Sequence, residues 1–353
     1  FTNINNSLFQ GGVFNPDTDV GLWVEGAGAL DYRGNPKLTW GYGVKGDPTW
    51  KLGDETVIAP MTFTEIGTNG FAQYLPGSAI RTMPNGVPLP TFNLSRGVKM
   101  RGEPGHFAHY RNVSTAQRNE FLDYCEISYF GVDALGRYPV HHHMRGDASR
   151  GTIHHGLVVK HSQQHAFVAH MSDGLTFEDC IAYDITADPY WYDRTARSDP
   201  GEPTGPSSET NDLHYVRCVA AWHRDLTAFR HTGYLLARSQ HGNQVIGCLD
   251  VGGDSRGGSD QMGGGYHWSE GDSNAERPGF WEFNDNVTLA NSHWGIATWQ
   301  NSGPAPHTVA SSGKYTAINC GDATGGGGIT HGAYANAYLY RNCELYLLPG
   351  TVG

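Results

Sequence analysis

The run Tyr138-Pro139-Val140-His141-His142-His143-Met144 places three imidazoles in consecutive positions. On a strand, successive side chains point to opposite faces. Val140, His142 and Met144 then share one face, and His141 and His143 share the other. A rise of about 3.3 Å per residue sets that second pair roughly 6.5–7 Å apart along the backbone. Two imidazoles at this spacing can converge on a metal ion or on one substrate group. Imidazole is the commonest protein metal ligand and a general base or acid near neutral pH. The plain alternative is a surface strand that carries a histidine cluster.

Such a pair needs rigid strands to aim it, and the composition supplies them. A chain of 353 residues exceeds one ordinary globular core, whereas repeat folds evade that limit because each layer touches only its neighbours. Gly is 48 of the residues and charged residues are 17%, which disfavours long helices and favours short strands joined by turns. The net charge of −11, from 24 basic and 35 acidic residues, argues against a nucleic-acid partner, which needs a basic surface. It leaves room for an anionic polymer held by a local basic cleft or a bound cation. No apolar run approaches the roughly 20 residues of a membrane span. The chain opens on Phe1 with no signal-peptide pattern, as expected of a mature or trimmed form.

From about residue 120 a unit recurs: an alternating strand, a polar residue or Gly, then Cys or Asn, then another strand. Examples are Leu122-Asp123-Tyr124-Cys125, Phe177-Glu178-Asp179-Cys180, Tyr215-Val216-Arg217-Cys218 and Val245-Ile246-Gly247-Cys248. The shortest spacings, 24 (156 to 180) and 23 (320 to 343), suit one coil of a parallel β-helix; longer ones imply loop insertions, the clearest at Arg194–Asn211 and Gly252–Gly279. All six cysteines (125, 180, 218, 248, 320 and 343) fall in this slot, with Gly156 and Asn286 as substitutes. They are expected to be free, buried thiols stacked in an inward column rather than disulfides or a zinc site. Residues 1–90 are expected to cap the first coil, and 91–353 to form the β-helix. The Gly325–Gly328 run is no phosphate loop, because no Lys-Ser/Thr follows.

The string Tyr138-Pro139-Val140-His141-His142-His143 with Gly146-Asp147 resembles a motif of the cell-migration-inducing hyaluronidase family, which runs Tyr-Pro-Ile-His-Phe-His followed by Gly-Asp. Ile153-His154-His155-Gly156, Val168-Ala169-His170 through Leu175, and Ile181 through Asp193 are similar to its next coils. The match covers roughly residues 93–193; Gly21–Trp40 more loosely resembles the end of the G8 domain. Departures are Ala187-Asp188, where the family has Gly-His, and Tyr192-Asp193, where it has an acidic pair. The resemblance implies an all-β, right-handed parallel β-helix that acts on an extracellular glycan, with hyaluronan the family's usual substrate.

On such a solenoid, residues one coil apart stack about 4.8 Å apart. His170 then falls on the strand after His141 and His143, and Asp193 on a third. These four form an expected first shell for a divalent ion, Zn²⁺ or Ca²⁺. Without a metal, a histidine would serve as base or acid, with Asp193 or Asp147 as the carboxylate; for a lyase, Lys160, Arg145 or Arg194 would neutralise the uronate. Tyr190, Trp191, Trp222, His223, Arg230 and His267 are candidate sugar contacts, and His109 a candidate addition to the cleft, while His161 and His165 are expected on the surface. The reading is a secreted polysaccharide-degrading enzyme, glycoside hydrolase or polysaccharide lyase, with an extracellular polysaccharide as partner. A non-catalytic glycan-binding β-helix of adhesin or spike type, and a metal-dependent enzyme on a non-glycan substrate, remain open.

Overall fold

The computed structural model describes residues 21–75, 77–133, 136–191, 210–224, 232–236, 242–254, 264–268, 281–298, 314–321, 326–331 and 340–347. Among these there is no α-helix, only short 3-10 turns such as Asp147–Ser149. Strands recur in threes: Val140–Gly146, Ile153–His155 and Val158–Ser162 make one turn, and Phe167–Ser172, Thr176–Glu178 and Ile181–Ile185 the next. Each strand pairs in parallel with its counterpart one turn on. The result is three long ladders, of nine strands from Leu22–Val24, five from Ile153–His155 and nine ending at Val98–Arg101. The protein is an all-β parallel β-helix.

Two columns of left-handed residues make the bends. One runs Tyr124, Gly156, Asp179, Arg217, Gly247, Asp285 and Asn342, with φ between 48° and 62°. The other runs Tyr129, His161, Asp184, Trp222, Gly252, Ala290 and Asn319. A single residue at positive φ turns the strand sharply, and Gly, Asn and Asp tolerate that conformation best. This explains the polar-or-Gly residue that precedes each Cys in the sequence repeat.

The register refines the cysteine column. Ladder pairing aligns Asn286 with Tyr315 and Tyr315 with Cys343, and places Cys125, Leu157, Cys180, Cys218 and Cys248 in the same slot, each next to a left-handed residue. Gly156 is therefore one residue early, at the bend itself. Cys320 is outside the slot, just past the second bend after Asn319. All six thiols are free, and five are buried.

The lumen is filled by aromatic stacks. Phe167, Tyr190, Tyr234 and Tyr266 lie face to face at centroid spacings of 5.0, 4.5 and 4.9 Å, matching the separation of adjacent strands. Within residues 1–90, Leu22–Val24 joins the first nine-strand ladder by pairing with Tyr110–Asn112, while Leu30–Arg33 pairs in parallel with Glu120–Asp123 as a separate two-stranded sheet. Trp40–Tyr42, Thr56–Ile58 and Pro90–Asn93 form an antiparallel sheet. Its Trp40, Val57 and Phe92 pack on Val158, Ile181, Val219 and Leu249, so it covers a flank of the helix.

Candidate functional site

The histidine run lies on strand Val140–Gly146, third in the nine-strand ladder that starts at Leu22–Val24. Val140 pairs with Phe167 and His142 with Ala169; these positions face the lumen, where Val140, Phe167 and Ala169 are core residues. His141 and His143 take the opposite face, as the alternation requires. His143 is directly opposite His170 one coil on, and His141 is opposite Val168.

The three imidazoles meet. Ring centroids are 5.0 Å apart for His141 and His143, 4.7 Å for His143 and His170, and 6.0 Å for His141 and His170. Nδ1 of His143 lies 2.9 Å from Nδ1 of His170. One ring nitrogen from each residue falls within 4.8 Å of the others. His141 is the floor: it is buried, and among the described residues neither its Nδ1 nor its Nε2 has a hydrogen-bond partner. Buried polar atoms are nearly always satisfied, so an orphaned imidazole facing two others fits a ligand to an ion. His143 is the half-buried member.

Burial keeps His141 and His143 neutral. Burial pushes the His141 imidazolium well below its ordinary range, helped by His143 and Arg111. Burial, then Arg111 and His170, lowers His143 to about 2. Neutral rings present the lone pairs that a metal needs. Arg111 is aligned directly with His141 on the preceding coil, and its guanidinium sits 5.0 Å from the Trp23 ring centroid. At the other end, Trp191 stacks on His165 at 3.9 Å, and Tyr138 packs edge-on against both His141 and Trp191.

Several expected site residues lie elsewhere. Arg145, expected to bind substrate, is buried and donates to the Ser114, Ala116 and Ala148 carbonyls and to Asn119. A strand irregularity after His143 turns it inward. Met144 is also displaced from the inner face by this irregularity, and is exposed. Lys160 is on a different ladder, held between Glu55 and Glu126 (3.2 Å to the latter). Tyr190 is inside the lumen, its hydroxyl donating to the Cys180 carbonyl at 2.9 Å, so it offers no face to a sugar. His223 points inward to the buried Asp250 carboxylate at 2.8 Å, and Trp222 packs on Tyr183. Asp147 is exposed and paired with Arg150. His267 is buried on the same ladder as the cluster, farther along. His109 is buried edge-on against Trp23. His161 is partly exposed and bonded to Asp184 at 2.7 Å. Asp193, Arg194 and Arg230 lie outside the described residues.

Residues 105–192, which hold the whole cluster, match the family model described as CEMIP beta-helix. This segment is similar to the β-helix of that family. The cell surface hyaluronidase CEMIP2 of Homo sapiens is 33% identical over 86 residues, or 23% of this chain and 6% of that protein. The chain therefore spans a small part of that relative's length.

A second group inside the β-helix was missed from sequence. Glu120, His142 and His154 are fully buried in the lumen, with ligand atoms again within 4.8 Å of one another. The available signal was Glu120 alternating with Leu122 on one strand: if Leu122 faces the core, so does Glu120.

Proposed function

We propose that this chain is an extracellular enzyme that cleaves an acidic polysaccharide, with hyaluronan-like polymers as the substrate class and His141, His143 and His170 holding a divalent ion. The observation that carries this reading is the meeting of three imidazoles from two coils around the orphaned nitrogens of His141. The donor set suits Zn²⁺, which takes nitrogen ligands readily. A bound ion of this kind polarises an acceptor oxygen or lowers the pKa of a water. His143, the most exposed of the three, is the one that meets substrate. Its lowered pKa keeps the ring neutral, with a lone pair for the ion. Trp191, with His165 behind it, offers a flat face to a sugar ring, and Arg111 supplies positive charge on the same ladder. The likeness to a protein named a cell surface hyaluronidase supports the glycan and the extracellular setting. Among the described residues, no helix is long and apolar enough to cross a membrane.

The test is incubation of the protein with hyaluronan and with a neutral glucan, each with and without added Zn²⁺. Chain shortening of the acidic polymer alone, abolished by His143→Ala, is expected. Ultraviolet absorbance of an unsaturated uronate in the products would assign a lyase, and its absence a hydrolase. Binding without shortening under every condition would replace catalysis with a glycan-binding role.

A further inference from the structure

The inner group lies on the reverse side of the strand that carries the histidine cluster. Glu120 Oε2 is 2.8 Å from His142 Nε2 and 3.5 Å from Arg145 Nη1. Asn112 donates to the same oxygen at 2.5 Å, and the Tyr110 hydroxyl donates to Oε1 at 2.5 Å. His154 Nδ1 donates to the Leu122 carbonyl at 3.2 Å, which leaves its Nε2 facing His142 Nε2 at 3.2 Å. The carboxylate thus has donors on both oxygens and a guanidinium as counter-charge. A dication placed there would add uncompensated charge to a dry interior, so the group reads as closed rather than as a second metal site.

His142 and Arg145 are three residues apart, and a regular strand would send them to opposite faces. Both nevertheless reach one carboxylate. The chain achieves this with an irregularity between His143 and Gly146, where Met144 takes φ 53°. A residue of that type at positive φ needs its surroundings to hold it there. We propose that Glu120 is a positioning residue: by gathering His142 and Arg145 it locks the register and the bulge of this strand, and so aims His141 and His143 outward against His170. The need for a lock comes from the run itself, because a slip by one residue exchanges the faces of three identical side chains. The consequence for metal binding rests on the reading of the outer cluster given above; the consequence for which histidines face outward does not.

Two readouts separate these. Diethyl pyrocarbonate labelling with mass spectrometry reports which histidines are accessible, with or without metal. Titration with Co²⁺, followed by visible absorption, reports the outer cluster. In the wild type, labelling at His143 and protection of His142 are expected. Glu120→Gln, which keeps the side chain's size, is expected to expose His142 and weaken Co²⁺ binding at least tenfold, and Arg145→Met to do the same. The double variant Glu120→Leu/Arg145→Met removes both buried charges; thermal stability is expected to recover relative to Glu120→Leu, while Co²⁺ affinity stays low. Affinity that recovers together with stability, or Glu120→Gln with wild-type labelling and affinity, overturns the proposal. A wild type that labels as expected yet binds no Co²⁺ sinks the metal reading and leaves the lock standing on its labelling pattern.

Discussion

At the scale of single residues, burial divides the histidines by task. His141 and His143 are kept neutral where neutral rings are useful. His154 is kept neutral inside the lumen: burial, offset by Glu120, lowers its pKa from 6.5 to about 4. In the unfolded chain it returns to about 6.5. Between these values the unfolded state binds the extra proton, so the stability His154 contributes is complete above about pH 6.5 and is lost as the pH falls towards 4. At about 1.4 kcal/mol per unit this is on the order of 3 kcal/mol. Thermal midpoints are expected to drop between pH 7 and pH 4.5, and to drop less in His154→Gln. Equal losses in both proteins would assign the acid sensitivity to other groups. Glu120 acts in the same sense at lower pH: burial alone would raise its pKa, but His142, His154 and Tyr110 outweigh burial and hold it well below the carboxylate range, so its contribution too is lost as the pH falls.

At the scale of elements, the bends decide what each coil can carry. Gly156 occupies the bend column at φ 58°, and a Cβ there would lie 2.5 Å from the Tyr124 ring. Gly156→Ala is expected to cost at least about 1 kcal/mol from the left-handed backbone alone, read as a lowered denaturation midpoint; an unchanged midpoint would mean that the bend relaxes. The cysteine column makes a second prediction. Burial pushes the Cys125 thiol up to about 12, and the Cys180 and Cys248 thiols well above their ordinary value, so thiolate, the reactive form, is scarce there; Cys218, drawn the other way by its hydrogen bonds with Cys180 and Cys248, is shielded by complete burial. In native protein, a thiol reagent is expected to modify the half-buried Cys343 first and to leave the other five until unfolding. Rapid modification of several cysteines would contradict the packed lumen.

At the scale of the molecule, the solenoid was legible because each coil repeats the same local problem: strand, bend, small inward residue, strand. The pairing of His143 with His170 followed from that repeat. Three things were not legible. The inward turn of Arg145 depends on a bulge created by a buried carboxylate on a strand more than twenty residues earlier, and strict alternation hides it. Cys320 shares the residue type of the column but not its register, because Tyr315 fills the slot on that coil; composition alone cannot tell the two apart. The flanking sheet of residues 40–93 was also hidden, since its partners are outward-facing Val, Ile and Leu of other coils.

The most direct measurement is the zinc content of untagged protein, by mass spectrometry after loading with Zn²⁺ and gel filtration, for the wild type and for His141→Ala, His143→Ala and His170→Ala. About one ion per wild-type chain is expected, with near-complete loss in each variant, because two histidines hold zinc far more weakly than three. A wild type that retains no zinc, or variants that retain as much as the wild type, would contradict it.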